Sequence, residues 1–155
     1  MKSIDMKKVI LLATSAFLFL STTFANVDPD REDVNEKVLK VFETTFPVVT
    51  DVKWKEYTEY YSASFKQNGI QTEVRYDKEG NFLSSLRYYK EERLPLSVLS
   101  QVKKRYSSKT IFGVTELTVG SDVAYFVTLE DEKTWLVVKA DQSGNIQVQD
   151  KFKKG

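Results

Sequence analysis

One six-residue turn occurs twice in this chain, and that repetition constrains the fold more than any other feature. Asp77-Lys78-Glu79-Gly80-Asn81-Phe82 returns as Asp141-Gln142-Ser143-Gly144-Asn145-Ile146, 64 positions later. Both read D-x-x-G-N followed by an apolar residue. Asp bonds its own downstream backbone and Gly supplies positive φ, which is hairpin chemistry. The flanks repeat as well. Val38-Leu39 aligns with Val98-Leu99, and Phe42 and Phe46 with Val102 and Tyr106, at an offset of 60. Ala63-Ser64-Phe65 aligns with Ala124-Tyr125-Phe126 at 61, and Thr72 and Val74 with Leu136 and Val138 at 64. The offset grows only where loops are expected, and loops tolerate insertions that strands do not. The chain therefore reads as two copies of one unit, 33–91 and 92–155, the second ending in a basic tail.

Each unit has the same order. The spacing predicts a first helix beginning near Asp33, whose carboxylate can cap it, with Glu36 as the partner in a capping box. Val34, Val38, Val41 and Phe42 follow at helical spacing, and Pro47 stops the helix. The second helix starts at Pro95, a favoured first-turn residue. Leu99, Val102 and Tyr106 form its apolar stripe, and Lys103, Lys104 and Arg105 suit the dipole at its C-terminus. Four strands follow each helix, at 50–57, 60–67, 70–77 and 82–89, then at 111–119, 122–129, 134–140 and 145–152. Asn68-Gly69 is a strong hairpin signal, and short connections force antiparallel neighbours. The expected class is α+β: two tandem helix-plus-four-stranded antiparallel units forming one long sheet with helices on one face.

Residues 1–25 stand apart from this pattern. Lys7 and Lys8 give a positive start, Val9 to Leu20 an apolar run short for a bilayer span, and Ser21 to Ala25 small residues before a cleavage point. Thr23 and Ala25 fill the two pocket positions, so cleavage is expected after Ala25. An uncleaved membrane anchor is the competing reading, and Met6 competes with Met1 as the start. The chain has no Cys, so no lipid anchor is expected. The mature protein is expected in the periplasm or secreted, with no stable membrane anchor. Cleavage removes three lysines and one aspartate and takes the formal net charge from +1 to −1. Residues 26–32 then form an acidic leader.

Alternation along the strands assigns two faces. In the first unit Val52, Trp54, Tyr61, Ala63, Phe65, Thr72, Val74, Phe82 and Leu86 are expected under the helix. Lys53, Lys55, Ser62, Ser64, Lys66, Gln71, Glu73, Arg75, Ser85 and Arg87 are expected on a polar, wet face. The repeat carries Ala124, Phe126, Leu136, Val138 and Ile146 to the helix side. It leaves Tyr125, Val127, Trp135 and Val137 outward, flanked by Thr128 and Gln147. Such an apolar patch marks an interaction site, with Tyr57, Tyr60 and Tyr89 nearby. Cover by the chain's own N-terminal stretch or a second subunit is the alternative, as is a bulge that turns Trp135 into the core.

Composition narrows the chemistry. The chain has no His and no Cys, which removes thiolate nucleophiles, zinc fingers and the commonest acid–base side chain near neutral pH. A net charge of +1 gives no nucleic-acid footprint. Glu56 and Glu59, and Glu130, Asp131 and Glu132, lie in or around turns with little to raise a pKa. Ser100-Gln101-Val102-Lys103 matches the letters of Ser-x-x-Lys, but Val102 is a core position. Asp28, Asp30, Glu32 and Asp33 loosely echo a calcium loop without its Gly and closing Glu. Lys151, Lys153 and Lys154 read as a solubilising tail. No enzyme activity, metal or cofactor is expected.

V-N-E-K-V-L-K-V-F-E-T-T-F-P at 34–47, V-T-D-V-K-W at 49–54, V-R-Y-D-K-E-G-N-F at 74–82 and L-P-L-S-V-L-S-Q-V-K-K-R-Y at 94–106 together resemble one family. It is the PepSY-like family of small periplasmic proteins, also described as like the β-lactamase inhibitor protein. The resemblance covers nearly all of the mature chain. It implies two tandem repeats, each a helical segment against four strands, and carries over no catalytic motif. The second unit departs where Phe112-Gly113-Val114 replaces Val52-Lys53-Trp54. The expected function is a non-enzymatic binding module, an inhibitor or modulator of an envelope or extracellular protein, held on the outward face of the second unit. A self-associating envelope protein that uses the same patch as a homodimer is the second expectation. A small-ligand carrier is the third, though the aromatic core argues against a cavity.

Overall fold

The computed structural model describes residues 33–155. The expected export segment and the whole of the acidic leader lie outside them. The elements run α1 (Glu36–Thr45), β1 (Val52–Glu56), β2 (Tyr60–Gln67), β3 (Ile70–Asp77), β4 (Phe82–Tyr89), a 3-10 turn (Glu91–Arg93), α2 (Leu96–Arg105), β5 (Thr110–Val119), β6 (Asp122–Glu130), β7 (Thr134–Asp141) and β8 (Ile146–Lys153). All eight strands form one sheet in sequence order, each antiparallel to the next. The α+β architecture with helices on one face is as expected.

Both helices begin and end for local reasons. Asn35, not Asp33, caps α1, its side chain accepting from the Lys37 backbone N–H at 2.9 Å. That satisfies one of the orphan donors of the first turn. Pro95 occupies the N-cap of α2, and both helices stop at an aromatic C-cap, Phe46 and Tyr106, two residues or fewer before or near a turn. Each helix buries a pair one turn apart, Val38 and Phe42 in α1 and Val98 and Val102 in α2.

Two cores result. Phe42 meets Trp54 and Phe65 edge-on at 5.1 and 5.5 Å, with Val38, Ala63, Val74 and Tyr76 around them. Val98 and Val102 pack on Val114, Val127, Leu129, Leu136 and Val138. One cross-strand row, Val52–Phe65–Thr72–Arg87–Glu116–Tyr125–Ala140–Ile146, runs through the sheet on the helix side and links them.

The repeated turn is a support for each helix. Asp77 accepts from the backbone N–H groups of Glu79 and Asn81 and from the Asn81 side chain, and Asp141 does the same with Ser143 and Asn145. Gly80 and Gly144 then adopt φ of +90° and +86°. A Cβ there would lie 3.3 Å from the Lys37 carbonyl oxygen and 2.9 Å from that of Ser97. Glycine is required both by backbone conformation and by the close approach of the helix.

Candidate functional site

Register decides which side chains reach the sheet's free face, and three bulges set it. Between β3 and β4 the pairing shifts after Tyr76–Phe82, so that Leu83 is extra. An extra residue exchanges the two faces of everything beyond it. Leu86, expected beneath the helix, therefore pairs with Glu73 on the free face. Ser85 and Arg87, expected there, pair with Val74 and Thr72 on the helix side. A second bulge makes Phe112 extra between Ile111–Leu129 and Gly113–Thr128. A third lies between Val137–Asp150 and Val138–Val148.

The second unit corrects the expected patch. Tyr125 and Val127 are 7% and 0% exposed and belong to the core under α2. Ala124 and Phe126, expected in that core, are on the free face with Leu117 and Thr115 as their partners. The cause is the offset. Tyr61, Ala63 and Phe65 correspond to Tyr125, Val127 and Leu129 at 64, the same even offset as the downstream turn. The odd value of 61 inverted the faces. The four added residues lengthen the β5–β6 hairpin. The matching Tyr-x-apolar-x-apolar pattern at 64 was the signal in the sequence.

Trp135 and Val137 do stand on the free face, opposite Glu130 and Thr128. Val137 is buried there beneath its neighbours. Trp135 is half-buried between the Phe112 ring, edge-on at 4.8 Å, and the Lys154 ammonium, 4.4 Å from the indole centroid. Lys154 also bonds Glu130 at 2.7 Å, so this end of the basic tail is a fixed part of the site. Tyr89 turns to the helix side and donates to Glu116 at 2.5 Å, while Arg87 donates to the other oxygen of that carboxylate at 2.9 Å. Burial, and then Glu116, pushes the Tyr89 hydroxyl well up from its ordinary value. Tyr57 and Tyr60 stack with centroids 4.4 Å apart. Tyr60 is on β2, five strands from Trp135 on β7, or roughly 24 Å at the usual strand spacing. They form no common patch with it.

What the free face does hold is a larger apolar area. Leu86, Leu117 and Ala124 make one cross-strand row, and Tyr88, Thr115 and Phe126 the next. Trp135 and Phe152 pair in the last row, beside Phe112. Phe112 and Phe152 are about half exposed, and Tyr88 is 38% exposed. The first unit's free face is different in kind, with Ser62, Ser64, Lys66, Gln71, Glu73 and Arg75. Arg75 there pairs with Glu73 at 2.8 Å and covers the Tyr60 ring.

Three of the carboxylates considered for catalysis, Glu56, Glu130 and Asp131, are each held by a lysine. Glu56 accepts from Lys78 at 2.6 Å, which lowers its pKa. Asp131 accepts from Lys109, from Thr134 and from the Lys133 backbone, and the Lys109 contact holds its carboxyl far below the usual range.

On the helix side a groove of about 460 Å³ lies beside α1. Its floor is the β3–β4 ladder, Thr72–Arg87, Val74–Ser85 and Tyr76–Phe82. The first bulge places Ser85 and Arg87 there.

No protein-family model matches the chain, and no curated protein sequence matches it. Solved structures do match. A BLIP-like protein from Bacteroides fragilis superposes with a TM-score of 0.63 at 21% identity, over 78% of this chain and 88% of that one. The chain has the BLIP-like fold. A candidate periplasmic protein from Bacteroides eggerthii matches with a TM-score of 0.61 at 14% identity, over 77% and 88%. A DUF2874 family protein from Bacteroides ovatus matches at 0.61 and 17%, over 76% and 86%. At these identities the BLIP-like likeness is one of architecture, and architecture alone assigns no activity. No helix among the described residues is long and apolar enough to cross a membrane.

Proposed function

We propose that this chain is an exported, non-catalytic binding module that holds a protein partner on the free face of β4–β8. One observation carries the reading: the strands of the second unit are apolar on both faces. Their helix-side residues are covered by α2. Leu86, Leu117, Phe126, Trp135, Phe112 and Phe152 have no element over them among the described residues. Contiguous apolar side chains left uncovered on a sheet face mark an interaction site. Aromatic residues at its centre with a charged rim, here Lys139, Glu130, Asp150 and Lys154, are the usual anatomy of a protein interface.

Export is supported by the pattern of residues 1–25 and by the description of the B. eggerthii neighbour. The partner is accordingly an envelope or extracellular protein. The BLIP-like fold supports trying inhibition of an envelope enzyme as the first use of such a face.

Affinity capture from an envelope extract tests the proposal. Wild type is compared with a Phe126→Ser/Trp135→Ala variant and with a Ser64→Ala control on the polar half. A partner retained by wild type and control but lost by the variant supports the reading. Equal recovery by all three contradicts it. Recovery of the chain itself identifies the partner as a second copy.

A further inference from the structure

The groove beside α1 opens at the margin of the first core, away from the free face, and its lining is part apolar and part basic. Val41 and Phe46 form the wall from α1, and Phe65, Val74 and Phe82 the apolar part of the sheet below. Arg87 and Arg93 line it too, and no Asp or Glu does. Glu116 engages one guanidinium nitrogen of Arg87 and has its second oxygen occupied by the Tyr89 hydroxyl. It thus balances Arg87 from outside the lining and leaves Arg93 uncompensated. The Arg93 side chain has no hydrogen bond or ion pair among the described residues.

The β4 bulge brings Ser85 and Arg87 to this side, together with Tyr89, which enters the second core. Bulges of this kind commonly re-aim a side chain at a site. The volume, about 460 Å³, is within the range of small-ligand sites.

We propose that this groove binds a single-chain aliphatic or aryl carboxylate, with its head on Arg87 and Arg93 and its tail on Phe46, Phe65 and Phe82. A guanidinium fork suits a planar carboxylate, and the apolar part of the lining suits a chain or ring. The site is on the opposite side of the sheet from the protein-binding face and is independent of it.

Calorimetric titration of the purified protein with decanoate, below its micelle-forming concentration, tests the proposal. The expected result is saturable binding of one decanoate per chain. Arg93→Gln should weaken it at least tenfold, and Arg93→Lys should recover part of the loss. Decanol, with a similar tail and no charge, should bind at least tenfold more weakly. Arg93 has no side-chain partner among the described residues and is exposed, so its variants should melt like wild type. Trp135→Ala should leave decanoate binding unchanged, which separates this site from the free face. The proposal is overturned if decanoate shows no saturable binding below millimolar concentration, or if Arg93→Gln or the loss of the charged head has no effect. Arg93-dependent co-sedimentation with phosphatidylglycerol vesicles, without decanoate binding, would assign the groove to a membrane surface and also overturn it.

Discussion

The Phe112 ring meets the Trp135 indole edge-on on the free face of the sheet, with centroids 4.8 Å apart and planes at 83°. Phe112 reaches that face because it is the extra residue of the β5 bulge. Lys154 closes the other side of the indole and is held by Glu130. A bulge and a chain end thus build the aromatic end of the patch. Such pairs contribute about 0.5–1.5 kcal/mol beyond their buried area.

The two tryptophans should report this arrangement separately. Trp54 is 3% exposed in the first core and Trp135 is half-buried on the free face. In Trp135→Phe, the remaining emission should be blue-shifted and resistant to acrylamide. In Trp54→Phe it should lie to longer wavelength and be quenched, more so after Lys154→Ala. A quencher-resistant Trp135 in a monomer would mean that something covers the face.

Tyr125, Val127 and Phe126 test the register. Val127→Ala removes buried methyl groups from the α2 core and should cost about 2 kcal/mol. Phe126→Ser, on the half-exposed face, should cost less than about 1 kcal/mol. Urea unfolding of both variants measures the difference. The reverse order of midpoints would show the β6 faces to be exchanged.

The turn glycines give a graded series. Gly144→Ala meets both a φ of +86° and a carbonyl oxygen at 2.9 Å, and should cost about 2–3 kcal/mol. Gly80→Ala, at 3.3 Å, should cost somewhat less. Gly120→Ala has a φ of +58° and nothing within 4 Å, and should cost about 1 kcal/mol. Thermal melts should rank the three in that order.

Two groups of side chains, alongside Asp131 and Tyr89, contribute to the pH limits of stability. Asp77 and Asp141 are held below the usual carboxylate range, first by the side chains of Asn81 and Asn145. Their contribution is complete above the ordinary carboxylate pKa, about 3.9, and is lost as pH falls through the depressed folded values. Tyr76 is pushed up to about 12 by burial. Its contribution is complete below the ordinary tyrosine pKa, about 10, and is lost as pH rises from there toward the folded value. Asp77→Asn/Asp141→Asn should therefore flatten the acid limb of a stability–pH curve, and Tyr76→Phe the alkaline limb.

The repeat, the helices and every strand were legible in the sequence because each rests on local chemistry: turn residues, apolar spacing, prolines. Strand ends fell within about two residues of their places. The faces were legible up to the first bulge and again in β7. Leu83 and Phe112 are ordinary strand residues in composition, and nothing local marks either as extra. Their effect appears only in pairing with a neighbouring strand. Trp135 and Val137 were placed correctly because the β7 offset is even and no bulge precedes them within that strand. Tyr89 was misplaced by the Leu83 bulge, and Tyr125 and Val127 by the odd repeat offset of 61, since either exchanges the faces of a strand. The helix-side groove had no sequence signal, since it depends on the same Leu83 bulge.

The binding face itself is tested most directly by photo-crosslinking in the cell envelope. A photoreactive phenylalanine analogue is placed at Phe126 in one variant and at Ser64, on the polar half, in another. The account predicts a discrete adduct from position 126 that is lost on Trp135→Ala and is absent from position 64. Adducts from position 64 alone, or an adduct from 126 indifferent to Trp135, would contradict it.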